Sequence, residues 1–452
     1  MLSAARSGVS STARLAFVAG NRSAAAGSNA GRRAFSTATA DSIQVAAADD
    51  GAPVTTVTVA LKAGPRYETA AGVAHALKSS FFKSTQKRTA LALIREVELY
   101  GGVLSSSLSK EHLLLTAEFL RGDEDFFVPL LGEVVSQSAF RRHEFNEEVI
   151  PQIGSEYEQS LGNPLVLGFD QLTQTAFRHR GIGASLFASP IHPVSHAQTV
   201  AFAREAIAKN NLVVLGSGID SGKLANLISK SFSGVPASGS VTKAASTYKG
   251  GEQRVAFAAP HGAEGSAASK AHFWLGFEGA ATGSKPELAV LRAHLGGESS
   301  VKWSAGLSPL SQLNAKDPSV SASAFNLTFS DTGVFGAYIS APAPKLSAAV
   351  KSASAAIKEA ASKISAEDLK KAIAKAKYDA AAAVEARAGS HEAVAGSLLE
   401  TKKIVSLEET FKALEGVSAS AVQSAAEKAL KSKPTTVAVG DVNVLPYADE
   451  VL

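Results

Sequence analysis

The sequence predicts an α+β protein of two homologous domains, each a mixed β-sheet with helices packed on one face. Three observations point there. The order strand, helix, Gly-Gly turn, strand, helix occurs twice, in two halves of similar length. Strand candidates alternate while helix candidates carry one-sided apolar stripes, a pattern that suits two packed layers. A length of 452 residues exceeds one ordinary domain, and 45% hydrophobic against 19% charged residues supplies real cores. The boundaries fall as a leader over 1–35, an N-terminal domain over 36–232, a linker over 233–251 and a C-terminal domain over 252–452.

Residues 1–40 carry Arg6, Arg14, Arg22, Arg32 and Arg33 and no acidic residue. Spaced arginines among small and Ser-rich stretches are the composition of a mitochondrial transit peptide, and they interrupt every run that a secretory signal would need. Arg33-Ala34-Phe35 before Ser36 resembles a matrix-processing site, with cleavage expected after Phe35. The net charge of +4 also resides there, since without these five arginines the chain stands at −1. A near-neutral body lacks the clustered cations that track phosphates, so nucleic acid is not an expected partner. No later segment approaches the roughly 18–20 apolar residues that span a bilayer, so a soluble or peripheral matrix-side protein is expected. Zero Cys excludes disulfides, thiolate zinc sites, cysteine nucleophiles and cysteine-ligated clusters.

In the first half, Val54–Lys62 reads as an alternating Val/Thr strand closed by Ala63-Gly64-Pro65. Helical patterns follow at Gly72–Ser80 and Thr89–Tyr100, then a strand at Leu113–Phe119. Asp123–Phe140 is a helix with Asp123 as its expected N-cap. Helices are expected over Glu144–Leu161 and Pro164–Ala176, a buried strand over Leu212–Gly216 and a helix over Lys223–Phe232. The Gly/Ser-rich stretch from Ser233 to Gly251 reads as the interdomain linker.

The second half repeats this outline with a strand at Ala271–Gly279 and a helix at Pro286–Leu295. Gly296-Gly297-Glu298-Ser299-Ser300 then matches Gly101-Gly102-Val103-Leu104-Ser105-Ser106. Strands Ser323–Phe329 and Gly333–Ile339 follow, joined by Ser330-Asp331-Thr332, and a long Ala/Lys-rich helix starts at Lys345. Acids interleave with lysines as far as Arg387, which makes this region a solvated helical face rather than a basic arm.

Two motifs fail on their chemistry. Gly216-Ser217-Gly218-Ile219-Asp220-Ser221-Gly222-Lys223 lies between strand and helix as a phosphate loop does. A Walker loop needs Gly where Ser217 stands and a hydroxyl where Leu224 stands, so a strand-to-helix turn is the better reading. His192 and His196 are four apart, but Pro193 intervenes and no Glu base lies between them.

The stretch Gly72-Val73-Ala74-His75-Ala76-Leu77-Lys78-Ser79-Ser80-Phe81-Phe82-Lys83-Ser84-Thr85 carries more. With Arg88, Glu96, Gly101-Gly102, Ser109-Lys110-Glu111 and Asp331-Thr332-Gly333-Val334-Phe335-Gly336, it resembles the pitrilysin-type metallopeptidase family over nearly the whole mature chain. That family holds zinc with an inverted His-x-x-Glu-His motif and a downstream Glu, and the Glu inside the motif activates water. Carried onto this sequence, His75 stands at the first ligand, Lys78 at the base and Ser79 at the second ligand. Glu156 lies where the downstream ligand falls, with Glu148 and Glu158 nearby. A lysine ammonium repels a dication and cannot deprotonate water, and loss of the base alone removes on the order of 10² to 10⁴ in rate. The resemblance therefore implies a dead site with no catalytic residue, no metal and no cofactor.

Leu295-Gly296-Gly297-Glu298-Ser299-Ser300-Val301-Lys302-Trp303-Ser304 resembles the family's non-catalytic branch. So does Lys431-Ser432-Lys433-Pro434-Thr435, with Val439-Gly440-Asp441 and Leu445-Pro446-Tyr447 behind it. That branch supplies core subunits to mitochondrial ubiquinol–cytochrome c reductase, here of the fungal type. The resemblance implies a structural, matrix-side subunit partnered by core protein 1, cytochrome b and cytochrome c1 in a dimeric complex, peripheral to the inner membrane. It binds no haem, quinone or iron–sulfur cluster in that reading, and no helical His pair argues for haem. The alternative is the non-zinc-binding subunit of a presequence-processing peptidase. That subunit carries a longer glycine-rich loop, where this chain has Glu298, Lys302 and Trp303 among the glycines.

Overall fold

The computed structural model describes residues 35–257, 270–297 and 306–452. Residues 1–34, most of the expected leader, and the loop positions Glu298, Lys302 and Trp303 lie outside the described residues. The chain forms two compact units. In the first, β1 (Ser36–Ala40), β2 (Ile43–Ala48), β3 (Val54–Leu61), β4 (Val103–Leu108), β5 (Leu113–Leu120) and β6 (Leu212–Ser217) pair in the order β1-β2-β6-β3-β5-β4. In the second, β7 (Gly251–Ala256), β8 (Lys270–Glu278), β9 (Ser321–Thr328), β10 (Gly333–Pro342) and β11 (Thr435–Gly440) pair as β7-β11-β8-β10-β9. β2 runs parallel to β6, and β7 runs parallel to β11. The other pairings are antiparallel. Strands β2 to β6 and β7 to β11 thus share one order and one set of directions, as an internal duplication requires. The α+β class with two mixed sheets is what the chain forms.

The longer helices of the first half are α1 (Val73–Ser80), α2 (Ala90–Leu99), α3 (Glu124–Gln137), α4 (Ile150–Leu161), α5 (Pro164–Phe177), α6 (His196–Ala206) and α7 (Ser221–Ser231). Those of the second are α8 (Pro286–Leu295), α9 (Ala343–Ser362), α10 (Ala366–Ala383), α11 (Arg387–Thr401), α12 (Leu407–Glu415) and α13 (Ala419–Lys431). Thr89 caps α2 by accepting from the Ala92 amide. Asp123 makes no capping bond at α3; the neighbouring Glu124 carboxylate accepts from the Gly122 amide instead, at 3.1 Å. The Lys345–Arg387 region holds two helices rather than one. Ser365 accepts from the Asp368 amide and starts α10 afresh, while Ile364 is buried at the break.

Alternation in β3 divides its side chains between two faces. Val57, Val59 and Leu61 enter the large core under the helices, with Leu77, Leu93, Phe127 and Leu131. Thr56, Thr58 and Ala60 point the other way and are also buried. Each sheet carries, beyond the expected helical layer, one helix on its opposite face, drawn from the other half of the chain. The first unit takes its described residues from Met1–Tyr157, Leu186–Ala244 and Ala383–Ser406, and so includes α11. Ala395, Leu398 and Leu399 of α11 pack on Ala46, Ala60, Leu114, Val213 and Leu215. His391, on the same helix, meets Thr58 Oγ1 through Nδ1 and Ser217 Oγ through Nε2, each at 2.8 Å.

The second unit comprises Glu158–Ser185, Ala245–Ala382 and Leu407–Leu452, and so includes α5. Leu167, Leu172, Ala176 and Phe177 cover Trp274, Phe325, Tyr338, Val437 and Val439. Gly168 lies flat on the indole, since a Cβ there would stand 2.2 Å from a ring carbon.

Two outcomes follow. Gly168→Ala forces the fully buried Trp274 out of place and costs about 2 kcal/mol in urea unfolding of the chain, and adding Trp274→Leu recovers most of it. Burial, with Arg387 nearby, pushes His391 from the ordinary 6.5 down to about 4. Its folded state resists protonation, so its contribution is full above pH 6.5 and is lost as the pH falls toward 4. The stability gap between the native chain and His391→Asn therefore narrows over that window.

Candidate functional site

α1 carries the degenerate motif. Gly72, the cap just before it, adopts a φ of +83°, and a Cβ there would stand 2.7 Å from Ala188, so only glycine fits. Val73, Ala74, Ala76 and Leu77 bury the helix in the first core. That burial fixes where His75, Lys78 and Ser79 stand, at the i, i+3 and i+4 positions of one helix face. α4 brings Glu156 to the same place. The turn before α4, Phe145–Val149, is a π-helical turn. The wider turn inserts a residue and so sets the register in which Glu156 faces α1.

The His75 ring is 2% exposed and has both nitrogens engaged. Nδ1 accepts the Ala188 amide at 3.1 Å, so the ring proton sits on Nε2, which donates to Glu156 Oε2 at 2.7 Å. The Phe187 ring meets it edge-on with centroids 5.6 Å apart. Burial holds the imidazole below its ordinary value despite the Glu156 carboxylate, consistent with a neutral ring. Lys78 Nζ reaches the same Oε2 at 2.5 Å, and Gln152 donates to Oε1 at 3.0 Å. Burial opposes ionisation of Glu156, but the His75 hydrogen bond and the Lys78 ammonium outweigh it and hold the carboxyl down at about 2. Ser79 is buried, and its hydroxyl has no hydrogen-bond partner among the described residues.

The structure thus joins three of the four motif positions, His75, Lys78 and Glu156, and leaves Ser79 beside them. It also ranks the carboxylates that spacing left open. Glu148 pairs with Lys83 at 2.7 Å, and Glu158 is exposed. This donor set does not fit a catalytic divalent metal. An ammonium occupies the carboxylate oxygen, both imidazole nitrogens are engaged, and a hydroxyl stands where a second imidazole is required. Among the described residues, no group of three or more His, Cys, Asp or Glu could hold a metal ion. No described helix is long and apolar enough to cross a membrane.

The rejected motifs stay apart. Asp220 caps α7 through the Gly222 and Lys223 amides at 2.8 and 3.1 Å, so a carboxylate fills the place a phosphate would take. Lys223 turns to Glu124 at 2.8 Å. His192 is exposed, while His196 Nε2 binds the Phe140 carbonyl at 2.5 Å. Sequence reasoning missed His391, since a single His in an Ala-rich amphipathic helix gives no signal of its distant Thr and Ser partners.

Glu156 is ionised in the fold down to about 2, against an ordinary 4.5. Its contribution is complete above pH 4.5 and disappears as the pH falls toward 2. Glu156→Gln, which strips Lys78 of its counter-ion, costs about 2 kcal/mol at pH 7 by urea unfolding, and the gap closes below pH 4.5.

The family profile described as Insulinase (Peptidase family M16) matches residues 44–189, and the profile described as Peptidase M16 inactive domain matches residues 193–376. The chain is 41% identical to the mitochondrial cytochrome b-c1 complex subunit 2 of Cryptococcus neoformans, over 95% of this chain and 98% of that protein. It is 37% identical to the subunit of the same name from Neurospora crassa, over 90% of this chain and 89% of the relative. Against the mitochondrial-processing peptidase subunit alpha of Solanum tuberosum the identity is 26%, over 92% of this chain and 83% of the relative. Two duplicated sheets and these likenesses converge: the chain belongs to the M16 peptidase family, in the branch formed by cytochrome b-c1 complex subunit 2 proteins.

Proposed function

We propose that this chain is a structural core subunit of mitochondrial ubiquinol–cytochrome c reductase, supporting assembly and stability of the complex that passes electrons from ubiquinol to cytochrome c. The observation that carries the reading is likeness along nearly the full length of both chains to a fungal subunit 2. The site supports it from the chemical side, because Lys78 and Ser79 replace the base and the second ligand. In this reading His75, Lys78, Ser79 and Glu156 form a structural cluster, with no catalytic, metal or cofactor role. Core protein 1, cytochrome b and cytochrome c1 are the proposed partners within a dimeric complex. The chain lies peripherally on the matrix side of the inner membrane, after removal of a leader ending at Phe35. The division into domains over 36–232 and 252–452, with a linker between, belongs to the same proposal.

The rival reading, a non-zinc-binding subunit of a presequence-processing peptidase, draws on the potato relative, which is the more distant at 26% against 41% identity. A native gel of mildly solubilised mitochondria, probed for this chain and stained for haem, separates the two. Migration in a large haem-positive band is expected. A haem-free heterodimer, about twice a two-domain subunit in mass, would overturn the proposal in favour of the peptidase.

A further inference from the structure

Glu144 ends the short helical turn Arg142–Glu144, just before the π-helical turn Phe145–Val149. It is only 7% exposed, and no cation pairs with it among the described residues. Its Oε1 accepts from Ser84 Oγ. Its Oε2 is buried and has no hydrogen-bond partner among the described residues. A buried carboxylate with one hydroxyl donor is far from satisfied, because buried charges are ordinarily paired or bound to a cation.

Beside Glu144 lies a cavity with room for one water-sized particle, about 10 Å³ for that particle's centre. Phe140, Phe145 and Val149 wall it, which keeps the surroundings dry. Ser80 at the end of α1 and Thr199 in α6 bring the other oxygens. The Ser80 hydroxyl spends its proton on the Ala76 carbonyl at 2.7 Å, and the Thr199 hydroxyl on the Ser195 carbonyl at 3.2 Å. What these side chains can turn to the cavity is therefore lone pairs. Two cationic residues reach its rim, but Lys83 is held by Glu148 at 2.7 Å and Arg141 is exposed. One carboxylate among neutral oxygens suits a single positive charge. A dication calls for more carboxylates, and a neutral water leaves the buried charge uncompensated. Potassium and ammonium are close to water in radius, whereas lithium is much smaller.

We infer that Glu144, Ser80 and Thr199 form a site for a monovalent cation of water's size, potassium or ammonium. The site goes beyond the subunit assignment and does not depend on it, since it rests on the first unit alone.

Thallium(I) resembles potassium in charge and radius, and its own nuclear resonance reports binding. The purified full chain in a choline nitrate buffer is expected to give a bound thallium signal that potassium or ammonium displaces at millimolar concentration. Lithium is expected to compete at least about tenfold more weakly, and the tighter of the other two competitors names the occupant. Replacing choline by about 100 mM potassium at equal ionic strength is expected to raise the melting midpoint by about 3 °C. Glu144→Gln keeps the side chain's size without its charge and is expected to abolish both responses. Thr199→Val removes one oxygen at nearly constant shape and is expected to weaken binding about tenfold. The thallium titration uses the native chain, so the test stands even where a substitution unfolds it. No bound thallium, a response that a folded Glu144→Gln chain keeps, or a midpoint that rises equally in lithium would each overturn the inference.

Discussion

The two hydrogen bonds of His391, to Thr58 on β3 and to Ser217 at the end of β6, sit where the first sheet would otherwise meet water on its second face. Around them Ala395, Leu398 and Leu399 bury Ala60, Val213 and Leu215. A threonine-bearing sheet face is a poor apolar surface, and its hydroxyls must be satisfied before a helix can cover it. His391 meets that requirement with one side chain that reaches two strands, while Thr58 also bonds Thr116 at 3.0 Å. In the second sheet the same task falls to shape, with a glycine in α5 accepting the face of Trp274. The duplication kept the plan of a helix lent by the other half and replaced the chemistry that seats it.

The α1–α4 site shows how one lysine can settle a carboxylate and an imidazole held between two helices. A carboxylate facing an imidazole in a mostly dry place is costly to keep ionised unless a positive charge stands beside it. Lys78 supplies that charge from within the same helix turn as His75, and Glu156 stays ionised as a result. His75 keeps its place because Ala188 and Glu156 fix its two nitrogens. The result is a hydrogen-bonded joint between two helices.

Much of this was legible in the sequence where periodicity or motif chemistry speaks directly. Leu113–Leu120, Pro286–Leu295 and Gly333–Pro342 follow from apolar patterning and bounding turns. The expectation of an altered site rests on Lys78 and Ser79, read against the family's motif. The short strands β1, β2, β4, β7 and β11 carried weaker signals. Ser-rich β4 lies at a sheet edge and β7 pairs with β11 alone, so neither needs a strong apolar pattern. The Val/Thr alternation of β3 predicts a strand but not the cover on its threonine face, because no local signal reports a covering helix more than 300 residues away. The break at Ile364-Ser365 was hidden by Ala and Lys, which favour helix on both sides of it.

The exchange of helices between halves imposes an order on how the chain acquires its structure. All six strands of the first sheet have been delivered once residue 217 has emerged, yet the helix that closes their second face begins only at Arg387. A chain that enters its compartment from the N-terminus therefore passes through a stage in which Ala60, Leu114, Val213 and Leu215 lie open to water. During that stage the sheet presents an adhesive surface to anything nearby, and a chaperone that shields it until the last quarter of the chain arrives would answer a need written into the connectivity.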